Sequence, residues 1–230
     1  MQTLGIVGGI GPESTIEYYR RLLERWRRQG ESGQPPLLIN SIEMQKMLDL
    51  ITAGQWPALA DMLLAEVEKL ARAGAAFALI AANTPHVVFP QVASRSPIPL
   101  ISIVEATAAA AQALGLKKLG LFGTRFTMQG SFYQDVFSRW QLAIALPDSG
   151  EQEYIHEKYF GELVRGQVLP ATREHLLKIV DALKAREQVQ GLILGGTELS
   201  LIFREDSVCG IPVLDTTQIH VNAAVARMLA

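Results

Sequence analysis

The chain has 230 residues, 49% hydrophobic and 19% charged, enough apolar material for one large or two small packed domains and too much for bulk disorder. The formal net charge is −2 with no basic stripe, which weighs against nucleic acid as a partner, because a phosphate backbone calls for clustered Lys and Arg. The single cysteine, Cys209, excludes an intrachain disulfide. No apolar run reaches the roughly 18 residues of a membrane span, and the N-terminal run TLGIVGG has neither a charged flank nor a small-residue cleavage site. The expectation is a cytoplasmic protein with no membrane partner.

Apolar runs at residues 3–7, 36–40, 77–81, 119–122, 142–145, 191–194 and 211–214 predict strands. They are mostly uninterrupted, the signature of parallel strands covered on both faces. Helical patterns fall between them, at 12–28, 44–50, 57–73, 103–114, 131–139, 151–163 and 171–187. The alternation predicts an α/β fold of right-handed βαβ units. In the first helix, Arg20, Arg21, Arg25, Arg27 and Arg28 interleave with Leu22, Leu23 and Trp26, so the basic run reads as the solvated face of an amphipathic helix. Thr172 is placed as the N-cap of the helix that follows it.

Polar residues collect just past the strand ends, where ligands bind in such folds. GIVGGIGPEST (5–15) is a strand, a glycine turn and a helix start. Its G-G-I-G-P-E order does not fit the dinucleotide fingerprint G-x-G-x-x-G. The turn could bring backbone amides, Gly9 among them, to a small anion, or be purely structural. AANTPH (81–86) offers Asn83, Thr84 and His86. Asn83 and Thr84 can donate to a carboxylate or open the following helix, and His86 can be a catalyst or a packing residue. GTRFTM (123–128) sets Thr124 and Thr127 at the same level, either as donors or as helix caps. GGTEL (195–199) brings Thr197 and Glu198, the latter a base, a hydrogen-bond anchor or a charge facing a helix dipole. Cys209 lies at the wrong end of its strand for chemistry. The four histidines, at 86, 156, 175 and 220, have no metal-ligand spacing, and no C-x-x-C, P-loop or serine-hydrolase elbow occurs, so no metal is expected. FALIAANT (77–84) and GLILGGTE (191–198) also echo each other, as two related half-domains would.

Five stretches, LGIVGGIGPESTIEYYR (4–20), AANTPHVVF (81–89), LGLFGTRFTMQGSFY (119–133), LILGGTELSLI (192–202) and IPVLDTTQIHVNAAV (211–225), resemble the aspartate/glutamate racemase family in order along the chain. The resemblance implies two similar parallel-sheet domains related by a pseudo-twofold with the active-site cleft between them. One would comprise 1–102 plus 210–230, with the C-terminal helix returning, and the other 103–209. It also implies a homodimer, no cofactor and an amino acid or dicarboxylate as the small-molecule partner. Members of the family invert Cα with two cysteines, one per face, because a single base returns the proton to the side it came from. Their positions correspond here to Ala82 and Gly196, which carry no proton. Asn83, Thr84 and Thr124 match positions that hold the substrate carboxylate and amine; Gly9, Thr127 and Thr197 complete the candidate shell. Lys46 and Arg125 are the candidates for a side-chain carboxylate, and Thr84, Glu198 and His86 for substitute proton carriers. The reading is an amino-acid racemase-like isomerase acting at Cα. The alternatives are a different lyase or isomerase on a small carboxylate, or a non-catalytic carboxylate binder.

Overall fold

The computed structural model describes residues 1–30 and 33–230, and the chain divides into two compact units, residues 1–103 with 220–230 and residues 104–219. The first unit contains β1 (Leu4–Gly8), α1 (Pro12–Arg28), β2 (Leu37–Ser41), α2 (Met44–Thr52), α3 (Trp56–Arg72), β3 (Phe77–Ile80), a 3-10 turn (Thr84–Val88), α4 (Phe89–Ala93) and β4 (Leu100–Ile101). Its sheet has the order β2-β1-β3-β4 and is parallel throughout. The central strands β1 and β3 are buried along their whole length, as their unbroken apolar runs require, whereas the edge strand β2 is partly exposed. Helix α1 buries Tyr18, Leu22 and Trp26 at four-residue intervals. These three pack with Leu4, Ile6, Phe77 and Leu79 of the sheet and with Val221, Ala224, Val225 and Met228 from the end of the chain. Each such aliphatic side chain removed from water contributes about 1.5–3 kcal/mol before entropic costs. The opposite face of α1 is solvated, with Arg20, Glu24, Arg27 and Arg28 exposed, and at its margin the half-buried Arg21 binds Glu17 at 2.7 Å.

The second unit follows α5 (Ile103–Ala113) with β5 (Lys118–Gly123), α6 (Arg125–Gln129), α7 (Phe132–Arg139), β6 (Ala143–Ala145), α8 (Ser149–Gly161), a 3-10 turn (Leu163–Arg165), α9 (Pro170–Glu187), β7 (Gly191–Gly195), α10 (Leu199–Ile202), β8 (Ser207–Val208) and β9 (Ile211–Asp215). The sheet order is β6-β5-β7-β9-β8, with only β8 antiparallel. The expected α/β class with two parallel-dominated sheets is therefore what the chain adopts. The order β6-β5-β7-β9 repeats the order β2-β1-β3-β4 of the first sheet, so β3 and β7, the two echoing strands, hold equivalent places in their own sheets.

Two local expectations change. The return to the first unit begins at His220, not at 210, because β9 pairs with β7 and stays with the second sheet. The final helix, α11 (Thr216–Leu229), makes the return; Asp215 caps it, accepting from the Thr217 amide at 2.9 Å. Thr172 is not an N-cap. Pro170 opens α9, and the Thr172 hydroxyl instead donates to Glu162 at 2.6 Å.

Candidate functional site

The strand-end turns of each unit hold the polar residues singled out above. In the first unit, the glycine turn after β1 is shaped by contact with its own neighbours. Gly9 has φ +83°, and a Cβ there would stand 2.5 Å from the Ile42 carbonyl oxygen. Only glycine fits. Its amide donates to Thr15 Oγ1 at 2.8 Å, which ties the turn to the first turn of α1.

After β3, Ala82 and Asn83 are buried. Asn83 precedes the short 3-10 turn, and its carbonyl accepts from the His86 amide at 2.9 Å. His86 itself is buried with both ring nitrogens in use. Nδ1 donates to the Ala82 carbonyl at 2.9 Å and Nε2 accepts from the Ile103 amide at 3.2 Å, while the ring stacks on Phe89 at 4.9 Å. Burial, followed by the nearby His220, pushes the His86 pKa down to about 3. His220 is also buried, between the Tyr18 hydroxyl at 2.9 Å and the Ile101 carbonyl at 3.0 Å, and burial lowers it to about 4. Of the two readings open for His86, the geometry is that of a neutral packing residue. Lys46 lies exposed on α2. Its charge helps hold the Glu66 carboxyl below its ordinary value: burial opposes ionisation there, but bonds from Lys69 and Asn40 and the two lysine charges outweigh it.

In the second unit, Thr124 is the N-cap of α6: its Oγ1 accepts from the Thr127 amide at 3.2 Å and lies 3.2 Å from Thr127 Oγ1. Arg125 donates its amide to His156 Nδ1 at 3.1 Å, and its guanidinium is paired with Glu153 at 2.6 Å. His156 is pushed below its ordinary value by burial and then by the Arg125 charge.

Past β7, Gly196, Thr197 and Glu198 are all buried. Glu198 stands at the N-cap position of α10 but makes no capping bond. Its Oε2 instead accepts two hydroxyls, Tyr159 Oη from α8 and Thr197 Oγ1 at 2.7 Å. Burial raises the Glu198 carboxyl, although the bonds from Tyr159 and Thr197 oppose it. Burial, then the Glu198 charge, raises the Tyr159 phenol well above its ordinary value. The Tyr159 ring lies directly over Gly196: a Cβ at 196 would be 2.5 Å from Cε2 and 3.2 Å from Oη. Nothing in the sequence pattern points to Tyr159, which lies far from the GGTEL turn in the chain and reaches Glu198 only through the packing of α8.

Among the described residues no group of three His, Cys, Asp or Glu could hold a metal, and no helix is long and apolar enough to cross a membrane.

The family model for Asp/Glu/Hydantoin racemases matches residues 7–224. The structure is similar to that of a candidate Asp/Glu racemase from Yersinia pestis, at 31% identity with both chains covered over 100% and a TM-score of 0.90. It is similar to an aspartate racemase homologue from Pyrococcus horikoshii, at 31% identity, 100% coverage of both chains and a TM-score of 0.88. A third likeness, to the aspartate racemase of Picrophilus torridus, has 18% identity, covers 99% of this chain and 94% of that one, and has a TM-score of 0.76; it speaks for the fold alone. On the match that spans nearly its whole length, the chain belongs to the Asp/Glu/Hydantoin racemase family.

Proposed function

We propose that the protein is a cofactor-independent isomerase that labilises the Cα–H bond of a small amino acid. The observation that carries the reading is the family match over residues 7–224 in a chain that keeps Asn83-Thr84 and Thr197-Glu198 at equivalent strand ends of its two sheets. In this reading Asn83, Thr84, Thr124 and Thr127 orient the substrate carboxylate and amine through neutral hydrogen bonds. An acidic side chain would have to compete with Glu153 for Arg125. A cytoplasmic homodimer belongs to the same reading, on family grounds.

A second reading, a non-catalytic carboxylate binder, is favoured by Ala82 and Gly196, neither of which carries a proton. One experiment separates the two. The protein is incubated in D₂O with L-Asp, L-Glu and a panel of small amino acids while the Cα–H signal is followed by NMR and optical purity by chiral chromatography. Loss of the signal with loss of optical purity is expected. No exchange across the panel, together with measurable binding of succinate, would sink the isomerase and leave the binder.

A further inference from the structure

Within the second unit, glycine at 196 creates a space, and a hydroxyl–carboxylate pair fills it. Gly196 directly follows the last residue of β7, at the carboxyl end of a central strand, where ligands approach α/β sheets. With no Cβ in the way, the Tyr159 ring lies over the Gly196 Cα with its Oη 3.2 Å from where a Cβ would be. The phenol donates to Glu198 Oε2, which Thr197 Oγ1 also holds at 2.7 Å. A packing tyrosine needs only one bond partner. Here the partner is a buried carboxylate fixed by a second donor, the arrangement by which an adjacent base activates a weakly basic hydroxyl.

We propose that Tyr159 is the proton-carrying catalytic residue of the second unit, with Glu198 and Thr197 as its positioning residues, and that residue 196 is glycine because the phenol stands where a side chain would. The inference rests on the functional reading above. As the substrate Cα–H bond breaks, its proton goes to Tyr159 Oη, the phenolic proton moves to Glu198 Oε2, and the electron pair left on Cα delocalises into the substrate carboxylate. The reverse sequence returns a proton to Cα, and no oxidant, reductant or co-reactant is consumed. Burial makes Glu198 a better proton acceptor than an ordinary carboxylate, and it raises the phenol as well. In the turn after β3, both ring nitrogens of His86 are bonded to main chain, which leaves that ring no free nitrogen for proton transfer.

The test compares wild type, Tyr159→Phe and Glu198→Gln for Cα–H exchange in D₂O across pH, for inversion, and for melting temperature. Tyr159→Phe keeps the ring and is expected to lower exchange by about 100-fold or more. Glu198→Gln is expected to lower exchange and abolish the acidic limb of its pH profile. Should either variant fail to fold, 3-fluorotyrosine at position 159 keeps the shape and makes the phenol more acidic; the basic limb is expected to shift to lower pH. Exchange in Tyr159→Phe indistinguishable from wild type, or a fluorotyrosine profile that does not move, overturns this inference alone. Wild type that exchanges no amino acid of the panel overturns the functional reading as well.

Discussion

A methyl group added at position 196 would meet Tyr159 Cε2 at 2.5 Å, a distance real Cβ atoms essentially never show. Gly196→Cys is therefore expected to destabilise the protein by about 1–3 kcal/mol through overpacking. In urea denaturation the double variant Gly196→Cys/Tyr159→Ala should be less destabilised than the two single changes summed, because removing the ring relieves the clash. Equal additive costs would show that the ring does not occupy that space. The absence of a side chain at 196 was legible in GGTEL, since the flanking Gly, Thr and Glu mark the turn. What fills the space was not, because Tyr159 reaches it only through tertiary packing of α8. The same limit applies to His86. Its sequence context left it open as a catalyst, and only the fold reveals that the Ile103 amide takes its second ring nitrogen.

Among the elements, the long buried strands were readable because a strand covered on both faces has an unbroken apolar run. The two-residue strands β4 and β8 are too short to carry any period, and the five-residue helices α4 and α6 are shorter than two turns. The start of α9 was misplaced because Thr172 is a good cap by type, whereas Pro170 already satisfies the geometry of a first turn. Helix α8, which carries Tyr159, starts with a capping box: Asp148 accepts from the Glu151 amide at 2.9 Å, and the Glu151 carboxylate accepts from the Asp148 amide at 2.9 Å. Asp148→Ala should cost about 1 kcal/mol in urea denaturation. A neutral result would mean that the Arg186–Glu151 ion pair, at 2.6 Å, holds this helix start unaided.

Over the whole molecule, two buried histidines set an acid limit. His86 and His220 stay neutral down to pH about 3 and about 4 when folded, whereas in the unfolded chain each takes a proton near the ordinary value of 6.5. A depressed folded pKa means that stability is fully present above 6.5 and is lost as pH falls toward those values. The urea midpoint should hold level above neutrality and fall steadily between pH 6.5 and 4, and His220→Gln should make that fall shallower. Glu198 has the opposite sign: its raised value means stability is lost as pH climbs through the window above 4.5. A midpoint flat from pH 7 to pH 4 would contradict the neutral histidine network. The division into two parallel-sheet units was legible from the alternation of strands and helices and from the echo between FALIAANT and GLILGGTE. The point of return was not, because IPVLD reads equally well as a strand of either sheet and only its pairing with β7 decides.

The helix that seals the first core is the last part of it to be synthesised. Leu4, Ile6, Phe77 and Leu79 leave the ribosome early, but Val221, Ala224, Val225 and Met228, which pack on them, follow about 140 residues later, on the order of ten seconds at ordinary elongation rates. The whole second unit is made within that interval from one uninterrupted segment, 104–219. The nascent chain thus completes its second unit first, while the sheet begun earliest waits with part of its apolar face uncovered. The closing turns of α11 act as the latch that ends that exposure.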